Sequence, residues 1–162
     1  MPSDKKIIII YICIFAVCVL FFALLVNNKN NESKITDDEI VMKIKLDTKE
    51  DVGLIVYDYS VGGFEHSGGI SNADKSLIKN NDLIIQPMSK QLDFDNLSDI
   101  EDLTIKFRII TEYVDPNYDN IYPEEYTKII EPSISLKAQY GEVYFIIISG
   151  DKTNGYKVTL EE

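Results

Sequence analysis

Two short stretches of this 162-residue chain hold residue types that could do chemistry. The first is His66, the only histidine, which precedes Ser67 in a chain rich in aspartate. Serine, histidine and aspartate are the parts of a nucleophilic triad, in which a third group must orient the imidazole. No nucleophile-elbow pattern surrounds Ser67, and adjacency in sequence says nothing about triad geometry. Beside Gly68 and Gly69, His66 is read as a loop or edge-strand histidine, and no catalytic residue is expected. One histidine is also too few for a zinc, copper or iron site, so no cofactor is expected.

The second stretch is the acidic loop from Asp115 to Tyr126. Asp115, Asn117 and Asp119 match the first three ligand positions of an EF-hand loop, and hard cations take oxygen ligands. The register then breaks. Asn120 stands where a glycine is wanted and Tyr126 where a bidentate glutamate belongs, although Glu124 and Glu125 are close. Asp115, Asn117, Asp119, Glu124 and Glu125 are therefore a calcium candidate with a broken motif, set against the plainer reading of a solvated loop. A further acidic group, Asp93, Asp95, Asp99, Glu101 and Asp102, has no metal register at all.

The same loop concentrates tyrosine, a rigid amphipathic residue common at binding surfaces. Tyr118, Tyr122 and Tyr126 are the candidate binding residues, and packing over the end of the domain is their alternative role. The pairs Gly62-Gly63 and Gly68-Gly69 are too short for a phosphate loop, and no Lys-Ser or Lys-Thr follows. They are turns or close backbone approaches within a sheet.

The elements that must position these residues read as strands. Ile40, Met42, Ile44 and Leu46 alternate with Val41, Lys43 and Lys45, and Leu103, Ile105, Phe107 and Ile109 alternate with polar neighbours. Residues 52–59 and 143–149 are apolar on both faces. Shorter strands are expected at 64–67 and 83–86. Residues 133–140, 143–149 and 156–160, separated by turn chemistry, are expected to form a meander. Short helical turns are expected near 71–79 and after Pro123. Some seven or eight strands without βα alternation imply an all-β fold, an antiparallel sandwich of immunoglobulin-like type, with a barrel as the alternative.

Residues Ile7–Val26 form an uncharged run of 20. As a helix it would span about 30 Å, the thickness of a bilayer's hydrocarbon core. No small-x-small cleavage site closes it, so it is expected to remain as a single-pass anchor contacting the lipid bilayer. Residues 1–6 are a short basic tail, 27–37 a polar tether, and 38–162 one acidic domain. Lys5 and Lys6 place the N-terminus inside and the domain outside the cytoplasm, although Lys29 and Lys34 nearly balance the count.

Both cysteines, Cys13 and Cys18, lie in the apolar run, so the domain holds no disulfide. An animal extracellular domain would usually carry bridges, whereas a bacterial envelope protein need not. The chain has a formal net charge of −11 and one arginine, Arg108. Such a surface is expected to repel nucleic acid and anionic lipid headgroups, because phosphate binding needs Lys and Arg, and nucleic acid is excluded as a partner. The expected function is a non-enzymatic, membrane-tethered interaction domain with an envelope protein partner, acting through the 115–126 loop or a strand edge. A carbohydrate-active module using paired carboxylates and a calcium-dependent structural domain are the alternatives.

Overall fold

Alternation of apolar and polar side chains settles eight strands, because in an extended chain successive side chains point to opposite faces. The computed structural model describes residues 36–112, 117, 119 and 123–161. The strands are β1 (Glu39–Thr48), β2 (Leu54–Val61), β3 (Phe64–Ile70), β4 (Leu83–Ser89), β5 (Ile100–Ile110), β6 (Thr127–Ala138), β7 (Val143–Asp151) and β8 (Gly155–Glu161). They form two four-stranded sheets, a front sheet in the order β4-β1-β7-β8 and a back sheet in the order β3-β2-β5-β6. The protein is thus an all-β sandwich. The expected anchor at Ile7–Val26 lies outside the described residues, among which no helix is long and apolar enough to cross a membrane.

The core lies between the sheets. Ile40, Met42, Ile44 and Leu46 of β1 meet Ile55, Tyr57, Tyr59 and Val61 of β2 and Leu103, Ile105, Phe107 and Ile109 of β5 in one buried cluster. Phe94, from the β4–β5 connection, is fully buried and makes edge contacts with Tyr59 and Tyr140, with ring centroids 5.9 and 6.0 Å apart. Gly68 lies opposite Tyr57 on β2. A Cβ there would come within 2.3 Å of the Tyr57 ring, so the buried tyrosine needs glycine as its neighbour.

Four expectations are corrected. The sandwich is not wholly antiparallel: β1 pairs antiparallel with β4 but parallel with β7, Val41 opposite Val143 through Thr48 opposite Gly150. A parallel pair needs a long crossover, and the chain supplies it by passing through the back sheet between β1 and β7. Side-chain alternation is identical in the two cases and could not reveal this. The order also differs from the immunoglobulin-like one, in which the first strand lies at an edge. Here β1 is interior.

The expected meander of the last three strands is broken at its first turn. Only β7 and β8 form a hairpin, while β6 pairs with β5 in the back sheet. The turn at Gly141 hooks onto β1, the Gly141 amide donating to Glu39 O at 2.7 Å and the Val41 amide to Glu142 O at 3.0 Å. These bonds carry the chain to the front sheet. Residues 71–79 form no helix, because Asp74 accepts hydrogen bonds from the Ser76 amide and hydroxyl instead, the usual competition of a short polar side chain with helical bonding.

Candidate functional site

The front sheet presents an apolar outer face. With Ile40, Met42, Ile44 and Leu46 turned inward, β1 turns Val41, Lys43 and Lys45 outward. Register across the sheet sets Ile85, Lys43, Phe145 and Glu161 in one row and Leu83, Lys45, Ile147 and Thr159 in the next. Pro87, Val41 and Val143 make a third row. Leu83 and Ile85 are each 54% exposed and Phe145 is 44% exposed. The Lys43 ammonium stands 5.3 Å from the centre of the Phe145 ring, a cation–π contact. The Lys45 ammonium donates to the Asn81 carbonyl. Sandwich faces that meet water normally alternate to polar residues. This one does not.

The back sheet's outer face is mainly polar, although Ile129 of β6, opposite Arg108, is 69% exposed. Ser67 Oγ donates to Asp58 Oδ1 at 2.7 Å, and Arg108 Nη2 reaches both oxygens of Asp58 at 3.0 and 2.9 Å. The Thr104 and Ser135 hydroxyls lie 3.2 Å apart across β5 and β6. A cleft of about 440 Å³ lies here, lined by Asp58, Tyr59, Ser60, Glu65, His66, Ser67, Thr104 and Lys106.

His66 and Ser67 are consecutive on β3 and therefore point to opposite faces. His66 stacks on Tyr59 with centroids 5.1 Å apart and rings inclined by 16°. Its Nε2 lies 3.6 Å from Asp95 Oδ2. Tyr59 donates its hydroxyl to Asp93 O and Oδ1, both at 3.2 Å. Burial, with the Asp93 charge second, pushes the phenol well above its ordinary range. Asp93 also accepts the Ser89 amide at 2.7 Å, so it orders the loop that carries Phe94. Ser67, bonded to Asp58, cannot serve His66. His66 is an edge-strand residue packed at the rim, as its sequence context suggests.

Of the 115–126 loop, Asp115, Tyr118 and Tyr122 lie outside the described residues. Asn117, Asp119, Glu124 and Glu125 are exposed and Tyr126 is half-buried. The Tyr126 carbonyl accepts the Thr111 amide at 3.0 Å, fastening the end of the loop to the end of β5. Among the described residues, no three His, Cys, Asp or Glu side chains converge to hold a metal ion.

The apolar front face was not singled out from the sequence. Its signal was present in the double-sided apolarity of residues 143–149 and in Leu83 and Ile85, which alternate within a short strand.

No protein-family model and no curated protein matches the chain. Solved structures similar to it include a protein from Eubacterium rectale, at 10% identity and a TM-score of 0.40, covering 77% of this chain and 90% of that one. The membrane-binding domain of pneumolysin aligns at 9% identity and a TM-score of 0.34, covering 77% of this chain and 96% of that one. A disulfide-locked mutant of intermedilysin with human CD59 aligns at 11% identity and a TM-score of 0.38, over 76% of this chain. This chain spans 24% of intermedilysin's length.

Proposed function

We propose that this chain is a non-catalytic interaction domain of a bacterial envelope, tethered to the membrane through Ile7–Val26, with the outer face of the front sheet as its contact surface. The observation that carries this reading is the exposure of Leu83, Ile85 and Phe145 on one sheet face. Contiguous exposed apolar surface on a soluble domain marks interaction sites. Burying such a side chain is worth about 1.5–3 kcal/mol. Three of them compete against an association cost of about 4–15 kcal/mol. That balance suits a contact held in place by a tether rather than a tight complex formed from free solution.

The carbohydrate-active alternative has less support. A glycosidase needs two carboxylates flanking the scissile bond, one of them able to give up a proton. In the cleft, Asp58 already accepts from Arg108 and Ser67. Protease added to wall-stripped cells, followed by a carbonate wash of untreated membranes, tests the proposal. We expect the domain to be digested and the full-length chain to stay with the membrane. Protection from protease, or full-length chain in the soluble fraction, would contradict it.

A further inference from the structure

We propose that the front-sheet face docks on the anionic bilayer that anchors the chain, Phe145, Leu83 and Ile85 entering the headgroup layer while Lys43 and Lys45 pair with lipid phosphates. This rests on the tethered reading above. The face combines exposed apolar side chains with Lys43 and Lys45 amid them and Lys157 on β8; of the acids that share it, Glu39 and Asp47 stand near the ends of β1 and Glu161 lies opposite Phe145 on the edge strand. Lysines that bury their stems along apolar surface and lift their charge toward phosphate are suited to a membrane interface.

The chain as a whole is strongly acidic, so the occupant must be reached by this face alone. Charges more than about 8 Å apart are largely screened at physiological ionic strength, and packed sheets stand about 10 Å apart. Acids on the back sheet therefore oppose docking of the front sheet only slightly. A second copy fits less well, since a two-fold contact centred on this face would bring Lys43 and Lys45 against their own equivalents.

Reach is sufficient. The 11 residues 27–37 separate the apolar run from the domain, and 11 extended residues span at most about 40 Å. They lead directly into β1, an interior strand of the docking sheet. A short tether holds its domain at a high effective concentration, so weak intrinsic affinity for lipid is enough.

The chain has no tryptophan, which allows a single reporter. The full-length protein carrying Phe145→Trp is reconstituted in vesicles of phosphatidylcholine with phosphatidylglycerol, bearing brominated acyl chains. Ile129→Trp, at an exposed position of the back sheet, serves as its counterpart. Several-fold stronger quenching at position 145 than at 129 is expected. It should fall to the position-129 level in Lys43→Gln/Lys45→Gln with an unchanged melting temperature, and weaken in phosphatidylcholine alone. Equal quenching at both positions, in protein that floats with the vesicles, would overturn docking and leave the tether standing. Protein that does not float would overturn both. A tryptophan at 145 shielded from aqueous iodide but not quenched by lipid would overturn docking in favour of a second copy or a protein partner.

Discussion

On the back sheet, Asp58, Ser67 and Arg108 satisfy one another across three strands. On the front sheet the outward positions fall to Phe145, Ile85 and Leu83, with Lys43 and Lys45 between them. Both sheets give their inner faces to the same core. The outer faces therefore differ in what selects them. Cross-strand polar pairs contribute to the sheet that carries them, whereas half-exposed apolar residues contribute less than fully buried ones. The back face serves the fold. The front face leaves Leu83, Ile85 and Phe145 about half-exposed.

Perturbations of stability should rank accordingly. The largest belongs to the layer that both sheets share. Phe107→Ala, at a fully buried site, should cost about 3–5 kcal/mol in denaturant unfolding. Asp58→Ala removes the acceptor of both Ser67 and Arg108, and should cost about 1 kcal/mol. A cost near zero would erase the contrast between the faces.

The front sheet does contain a strong polar arrangement, but at its end. Asp151, buried at the end of β7, receives Lys49 Nζ at 2.5 Å, the Asn154 side chain at 2.9 Å and the Asn154 amide at 2.7 Å. The Lys49 hydrogen bond, then those of Asn154, hold its carboxyl well below the usual carboxylate range. A depressed native pKa contributes stability above the unfolded value, about 3.9 for aspartate, and that stability is lost as pH falls through the native value. Thermal unfolding should therefore lose stability progressively below about pH 4. Asp151→Asn should flatten that decline, and an unchanged acid profile would show that the contact does not operate.

The smallest effect is expected on the front face itself. Leu83→Ser, Ile85→Ser and Phe145→Ser should each change stability by no more than about 0.5 kcal/mol. Larger losses in chemical denaturation would mean that these side chains serve the fold after all.

The contrast was partly legible in the sequence. Period-2 alternation located β1 and β5 and their inward residues, because burial on one face leaves that trace. The Gly62-Gly63 hairpin was equally plain, and φ of +58° and +84° shows why glycine is needed there. Strand partnership was not legible. Alternation reports which face is wet and not which neighbour is bonded, so the parallel β1–β7 pair and the transfer of β7 away from β6 were invisible. Pro87 suggested that the fourth strand would stop, yet β4 runs on to Ser89 because an edge strand tolerates a residue that cannot donate. The front face escaped notice for a related reason. Leu83, Lys43 and Phe145 become neighbours only when β4, β1 and β7 are set side by side, and they come from three distant parts of the chain.

The claim that the front face is covered in the native setting is tested most directly by labelling amines in native membranes. The full-length chain is acetylated in membranes and again after detergent extraction, and modification is read residue by residue by mass spectrometry. Lys43 and Lys45 should label several-fold less in membranes than in detergent, while Lys106 on the back face labels equally in both. Equal labelling of all three lysines in both conditions would contradict the account.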